Sequence, residues 1–159
     1  MKAVRVYSIL LGLVLLTTAF QCDEDSVFNQ DLVGTWEHVT TDGDIERKEF
    51  FNFRADGTYI YSVTGIDLGT QEVLGFQKYE EGRWVAINGN KLELYLEVFE
   101  ISTDGGYTTR ENLERTNSGD PVYFYTLNES GQELTLEPDC PPNASCIGPV
   151  TYLRIVQEI

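Results

Sequence analysis

Lys91-Leu92-Glu93-Leu94-Tyr95-Leu96-Glu97-Val98-Phe99, running on to Ile101, sets Leu92, Leu94, Leu96 and Val98 on one side of an extended backbone and Glu93, Tyr95, Glu97 and Phe99 on the other. Successive side chains leave a strand on opposite faces, so this period of two predicts a half-buried strand over 91–101. Upstream, Asn88-Gly89-Asn90 is a turn. Before it, Gln71 to Tyr79 and Gly82 to Ile87 read as one long bent strand, with Gly75 and Gly82 as bulge sites. Lys48 to Arg54 and Thr58 to Gly65 flank Ala55-Asp56-Gly57, and an Asp-Gly turn between β-rich runs predicts a hairpin. Leu32 to Thr40 is the first strand, ended by Thr41-Asp42-Gly43-Asp44.

Downstream of the leucine strand, Asp104-Gly105-Gly106 turns the chain into the polar run Tyr107 to Asp120, which reads as a long exposed hairpin with its tip near Asn112 to Gly119. Val122 to Asn128 and Gln132 to Glu137 are joined by Glu129-Ser130-Gly131, and Val150 to Gln157 closes the series. The expected fold is therefore all-β, a single antiparallel up-and-down β-barrel of roughly eight to ten strands. Closure removes the sheet edges, and a barrel of this size holds packed side chains or one small ligand.

The N-terminus carries a different message. Lys2 and Arg5 precede an apolar run from Val6 to Phe20, too short for a comfortable membrane span and of the right length for a secretory leader. Thr17-Thr18-Ala19-Phe20-Gln21-Cys22 then gives way to Asp23-Glu24-Asp25. This stretch resembles the leader and lipidation site of bacterial lipoproteins, of the kind common in Bacteroidetes, although the residues before the cysteine depart from the usual small-residue pattern. The resemblance implies cleavage after Gln21, lipidation of Cys22, and an acidic export signal in Asp23, Glu24 and Asp25 that sends the protein to the outer membrane and its cell surface; the periplasmic face is the alternative. Those acids also suit a solvated tether. Each methylene of an acyl chain adds about 0.8 kcal/mol of membrane affinity, so two or three chains would hold the protein at the membrane without spanning it. The expected organisation is a signal peptide at 1–21, a lipidated tether at 22–30 and a barrel domain at 31–159.

The leader holds two of the eleven basic residues and none of the twenty-six acids, leaving a formal charge of −17 from Cys22 onward. Such a surface repels phosphate backbones, so no nucleic acid partner is expected. Apart from Cys22 the cysteines are Cys140 and Cys146, which can pair in an oxidising compartment; a reduced pair or a metal site is the other reading, and one histidine in the whole chain argues against zinc. No metal or cofactor is expected, and a monomer is the expected state.

Asp31-Leu32-Val33-Gly34-Thr35-Trp36-Glu37, Phe53-Arg54-Ala55-Asp56-Gly57-Thr58-Tyr59, Gly82-Arg83-Trp84 with the turn at Asn88 to Asn90, and Tyr152-Leu153-Arg154 together resemble, in order and spacing, the strands of lipocalin-like (calycin-type) domains. The resemblance implies that Trp36 packs across the closed end of the barrel and that Arg154 on the last strand lays its guanidinium against that ring. It also implies a possible small hydrophobic ligand.

Catalytic chemistry finds little to work with. His38 lacks a nucleophile, since no serine sits in a Gly-x-Ser-x-Gly setting, and it reads as a core or cavity-lining residue. Asp42, Asp44 and Glu46 alternate without calcium-loop spacing and read as solvated turn residues. Glu80-Glu81 and the pair Glu111 and Glu114 are near neighbours of the sort expected in a chain this acidic, and glycoside cleavage needs a cleft that sequence cannot display. No enzymatic activity is expected. His38, Tyr59, Tyr61, Trp84 and Tyr125 are the candidate ligand-binding set, because inward-facing aromatics with polar handles line small-molecule sites; filling a core is the equal alternative. The expected function is binding a small apolar or amphipathic molecule, and the second reading is a surface interaction module, with a protein or glycan partner, on the same barrel with a filled core.

Overall fold

The computed structural model of the chain describes residues 29–155, apart from 88, 143 and 145. The leader, Cys22 and the acidic run Asp23 to Asp25 lie outside the described residues.

Nine strands follow one another: β1 (Gly34–Asp42), β2 (Ile45–Phe53), β3 (Thr58–Asp67), β4 (Val73–Ile87), β5 (Lys91–Ile101), β6 (Glu114–Arg115), β7 (Val122–Leu127), β8 (Glu133–Pro138) and β9 (Val150–Ile155). Each pairs antiparallel with its neighbours in the order β4-β3-β2-β1-β9-β8-β7-β5, and β4 pairs with β5 to close the ring. The result is a closed eight-strand up-and-down barrel with the two-residue β6 added on β5, consistent with a lipocalin-like fold.

The Asp-Gly turn joins β2 to β3 as the hairpin rule requires, with Asp56 accepting from the Thr58 amide and hydroxyl and Gly57 at φ 80°. β4 is a single strand of 15 residues. Its pairing with β3 is irregular on both sides of Gly75, and its pairing with β5 skips a residue beside Gly82. At Gly82 the barrel wall and its filling approach so closely that a Cβ would run into the Tyr95 carbonyl and come within 3.1 Å of the Tyr59 ring.

That second irregularity changes the reading of the leucine strand. Gly82 faces Leu96 but Glu81 faces Val98, so Glu97 is the extra residue of a bulge. Leu92, Leu94 and Leu96 share the inner face as expected; Val98 does not, and Phe99, opposite Glu80, takes the inner face in its place. A bulge inverts the phase of everything beyond it.

The run Tyr107 to Asp120 is not a free hairpin. It crosses the outside of β4 and β5: Thr108 bridges Phe76, the Thr116 amide donates to the Phe99 carbonyl, Arg115 donates to the Glu97 carbonyl, and the Arg110 guanidinium lies 3.4 Å from the centre of the Tyr79 ring. Polar composition concealed this because its anchors are charged side chains on aromatic and backbone partners.

At one end the barrel is plugged. Leu32, from the 3-10 turn Gln30–Leu32, packs with Trp36, Phe53, Tyr59, Trp84, Leu92, Leu94, Tyr125 and Leu134. Each fully buried side chain of this type contributes roughly 1.5–3 kcal/mol, so this plug is the main source of stability. Asn29 accepts from the Asp31 amide and donates to the Tyr125 hydroxyl at 2.9 Å, fixing the start of the described chain to the closed end.

Candidate functional site at the barrel mouth

The inner phase of each strand continues from the plug toward the other end, and there its chemistry changes. On β2 the apolar Phe53 and Phe51 are followed in the same phase by Glu49 and Arg47. On β4 the phase of Ala86 and Trp84 continues through Gly82 to Glu80 and Lys78. Two ion pairs therefore stand inside the barrel, Arg47 with Glu49 and Lys78 with Glu80. Between them β3 places Tyr61, β7 places Tyr123 and β9 places Tyr152.

These groups line a cavity of about 350 Å³ whose apolar wall includes Phe51 and Leu136. The loop closed by the Cys140–Cys146 disulfide, with Cα atoms 6.3 Å apart, leads into Ile147 and Gly148 at the rim. Ile147 is 80% exposed, an apolar side chain held at an aqueous lip. The volume lies at the lower end of the range for small-molecule sites, and the lining matches their usual composition of aromatic surface with few polar groups.

The two carboxylates have different surroundings. Glu49 accepts from the Tyr61 hydroxyl at 2.6 Å and the Tyr152 hydroxyl at 3.2 Å, and it meets Arg47. Burial pushes its carboxyl up, but the Tyr61 hydrogen bond, the Arg47 charge and the Tyr152 hydrogen bond outweigh it and hold the group below the ordinary glutamate value. Burial, and then the Glu49 charge, raises the Tyr61 and Tyr152 phenols well above their normal range. Arg47 loses hydration on burial yet is held more firmly protonated by Glu49.

Glu80 is 4% exposed and meets Lys78 through one oxygen at 2.5 Å. No hydrogen bond to its other oxygen occurs among the described residues. The Lys78 ammonium also lies 5.1 Å from the centres of the Tyr61 and Phe99 rings. Burial and the Glu80 charge push the Tyr123 phenol up to about 12.

Of the residues expected to bind a ligand, Tyr61 lines this cavity. Tyr59, Trp84 and Tyr125 belong to the filled part of the barrel and do not line it. His38 stands at the seam between the first and last strands. β1 and β9 pair from Thr35 to Glu37, and beyond that the His38 Nδ1 lies 2.8 Å from the Thr151 carbonyl, so Nδ1 carries the proton and donates. Its ring packs 5.6 Å from Tyr152, behind the cavity wall.

Trp36 and Arg154 meet at the closed end, the guanidinium carbon 4.2 Å from the indole centre. A broader, shallow depression of about 480 Å³ lies there, lined by Gln30, Asp31, Asn128 to Gln132 and Arg154. Its one cation, Arg154, donates to the carbonyls of Gly131, Val33 and Asp31.

Among the described residues, no group of three or more His, Cys, Asp or Glu side chains comes together as a metal site. Glu46 is bound to Lys48 at 3.2 Å, and Asp42 and Asp44 lie at the β1–β2 turn. The mouth residues Arg47, Glu49, Lys78, Glu80, Tyr123 and Tyr152 were outside the expected set; the signal that finds them is strand phase, carried past the last apolar residue into the charged ones. No protein-family model, curated protein or solved structure matches the chain, and the site stands on its own geometry.

Proposed function

We propose that this chain is a lipid-anchored, non-enzymatic cell-envelope protein that holds a small amphipathic molecule in the mouth of its barrel. One observation carries the reading: the interior is filled at one end and hollow at the other, and the hollow end combines aromatic walls with two ion pairs and three tyrosines. A residue set selected only for stability fills such a space with aliphatic side chains, because buried charges cost more than they return unless each is paired. Here polar groups are kept inside and oriented, as a site that must recognise a polar end requires. Chemistry on a bound molecule is not part of the reading: the tyrosine hydroxyls beside Glu49 are raised well above the normal phenol range, so they act as hydrogen-bond donors.

The membrane attachment rests on Cys22 and its acidic sequel, with the outer membrane surface as the proposed location. Protease added to intact cells digests a surface-exposed domain; protection until the outer membrane is permeabilised places it on the periplasmic face. The binding reading is tested by native mass spectrometry of the domain released from its own cells through a protease site engineered ahead of Asn29, whose contacts with the barrel are thereby kept. A retained mass that extracts into organic solvent supports the carrier. A uniformly empty domain favours the second reading, an interaction module on the same barrel, for which the filled closed half is the supporting observation.

A further inference from the structure

The polar groups of the mouth are unequally occupied, and the inequality selects a ligand chemistry. Glu49 is spent: an arginine and two tyrosine hydroxyls already engage it. Glu80, almost as deeply placed as the aromatic core, uses one oxygen on Lys78 and offers the other to the cavity it lines. The Tyr59 hydroxyl is buried without a hydrogen-bond partner among the described residues. Tyr59 faces Gly82 across the β3–β4 ladder, one inner position below the Tyr61–Glu80 pair, and among the charges around it Glu80 acts on it most strongly. Tyr123, also on the lining, feels Glu80 first and donates to nothing among the described residues. The free oxygen of Glu80 and the Tyr123 hydroxyl are therefore the groups on the cavity lining with hydrogen-bonding capacity left for a ligand.

Charge points the same way. Both cations of the mouth, Arg47 and Lys78, are matched to carboxylates, so neither stands as an uncompensated positive charge for an anion. Phe51, Tyr61, Tyr123 and Tyr152 line the cavity, and the face of an aromatic ring attracts a cation and repels an anion. Around them the formal charge of the chain is −15, and a field of that sign concentrates cations at a cleft. We infer that the mouth recognises a protonated amine on a flat apolar body, with Glu80 receiving the ammonium and the tyrosine rings enclosing the body. This inference deepens the carrier reading and rests on it.

Three probes that share an indole-ethyl body separate the alternatives: tryptamine, tryptophol and indole-3-propionate present an ammonium, a hydroxyl and a carboxylate from the same ring system. The full chain, isolated from its own cells and held in phosphatidylcholine nanodiscs, is titrated with each by isothermal calorimetry at neutral pH, with empty nanodiscs as the blank. Tryptamine is expected to bind at least about tenfold more tightly than tryptophol, and indole-3-propionate most weakly. Glu80→Gln is expected to remove that tenfold advantage while leaving tryptophol unchanged. Lys78→Gln, which frees Glu80 from its competitor, is expected to tighten tryptamine. An anion site predicts the opposite sign in both variants. If Glu80→Gln does not retain the near-ultraviolet circular dichroism of the parent, the order of the three probes on the parent and on Lys78→Gln decides. Any order in which tryptamine is not first overturns the amine inference and leaves the carrier standing. Failure of all three to bind folded parent protein overturns the amine inference, and the carrier reading then stands or falls on the mass retained by the domain released from its own cells.

Discussion

Arg154 closes the barrel by reaching across to Trp36: its guanidinium carbon sits 4.2 Å from the indole centre while Nε and Nη1 donate, each at 2.9 Å, to the carbonyls of Gly131 and Val33. One side chain therefore ties together the β7–β8 turn, the approach to β1 and the floor of the core. The neighbouring Gly34, at φ 141°, leaves room for it, since a Cβ there would come within 2.9 Å of Nη1. Arg154→Ala removes a cation–π contact and the charged hydrogen bonds together, an expected loss of about 2–4 kcal/mol. Thermal unfolding should move down by several degrees, and acrylamide should quench Trp36 fluorescence more readily; an unshifted midpoint would show the cluster to be incidental.

Glu49 sets the acid limit of the mouth. Its folded-state pKa lies below the ordinary value of 4.5, so its contribution is present above that pH and is lost as the pH falls through the folded value. Parent protein should lose midpoint temperature between about pH 5 and 3. Glu49→Gln leaves Arg47 buried beside two tyrosines without a carboxylate, and is expected to be less stable than the parent near neutrality with the gap narrowing in acid. Parallel pH profiles for the two proteins would refute this assignment.

Tyr59 carries a buried hydroxyl with no hydrogen-bond partner among the described residues. Tyr59→Phe keeps the ring against Phe51, Phe53 and Gly82 and deletes the unpaired group, so the unliganded protein should be stabilised by about 1 kcal/mol and melt a few degrees higher. A lower midpoint in differential scanning calorimetry would mean that the hydroxyl has a partner in solution.

The Cys140–Cys146 bridge holds the Ile147 rim in place. Closing so short a loop contributes about 2 kcal/mol in the chain-entropy account. Paired replacement by serine should therefore lower the midpoint modestly while weakening retention of any bound molecule by a larger factor, because the rim loses its position but the plug is untouched. Equal binding in parent and variant would make the bridge a stabiliser only.

Much of the fold is legible in the sequence. The Asp-Gly hairpin, the long bent β4 and the up-and-down order follow from turn chemistry and period-two runs, because those signals are local. What was hidden was non-local. The bulge opposite Gly82 inverts β5 beyond Glu97, bringing Phe99 inside, and no pattern within β5 announces it. The mouth escaped for a different reason: Arg47, Glu49, Lys78 and Glu80 are hydrophilic, and composition alone assigns such residues to the surface. Aromatic residues were the visible candidates, yet Tyr59, Trp84 and Tyr125 serve the plug, while Tyr61 alone of that set meets the cavity.

Asn29 and the turn that follows it are fastened beneath the plug, at the opposite end from the cavity. If Cys22 bears the proposed acyl chains, six residues separate it from Asn29, a reach of at most about 25 Å. The domain then stands on its sealed base like a cup on a short stem, its opening turned outward. The attachment and the opening then lie at opposite ends of the barrel, so the lipid anchor leaves the mouth unobstructed.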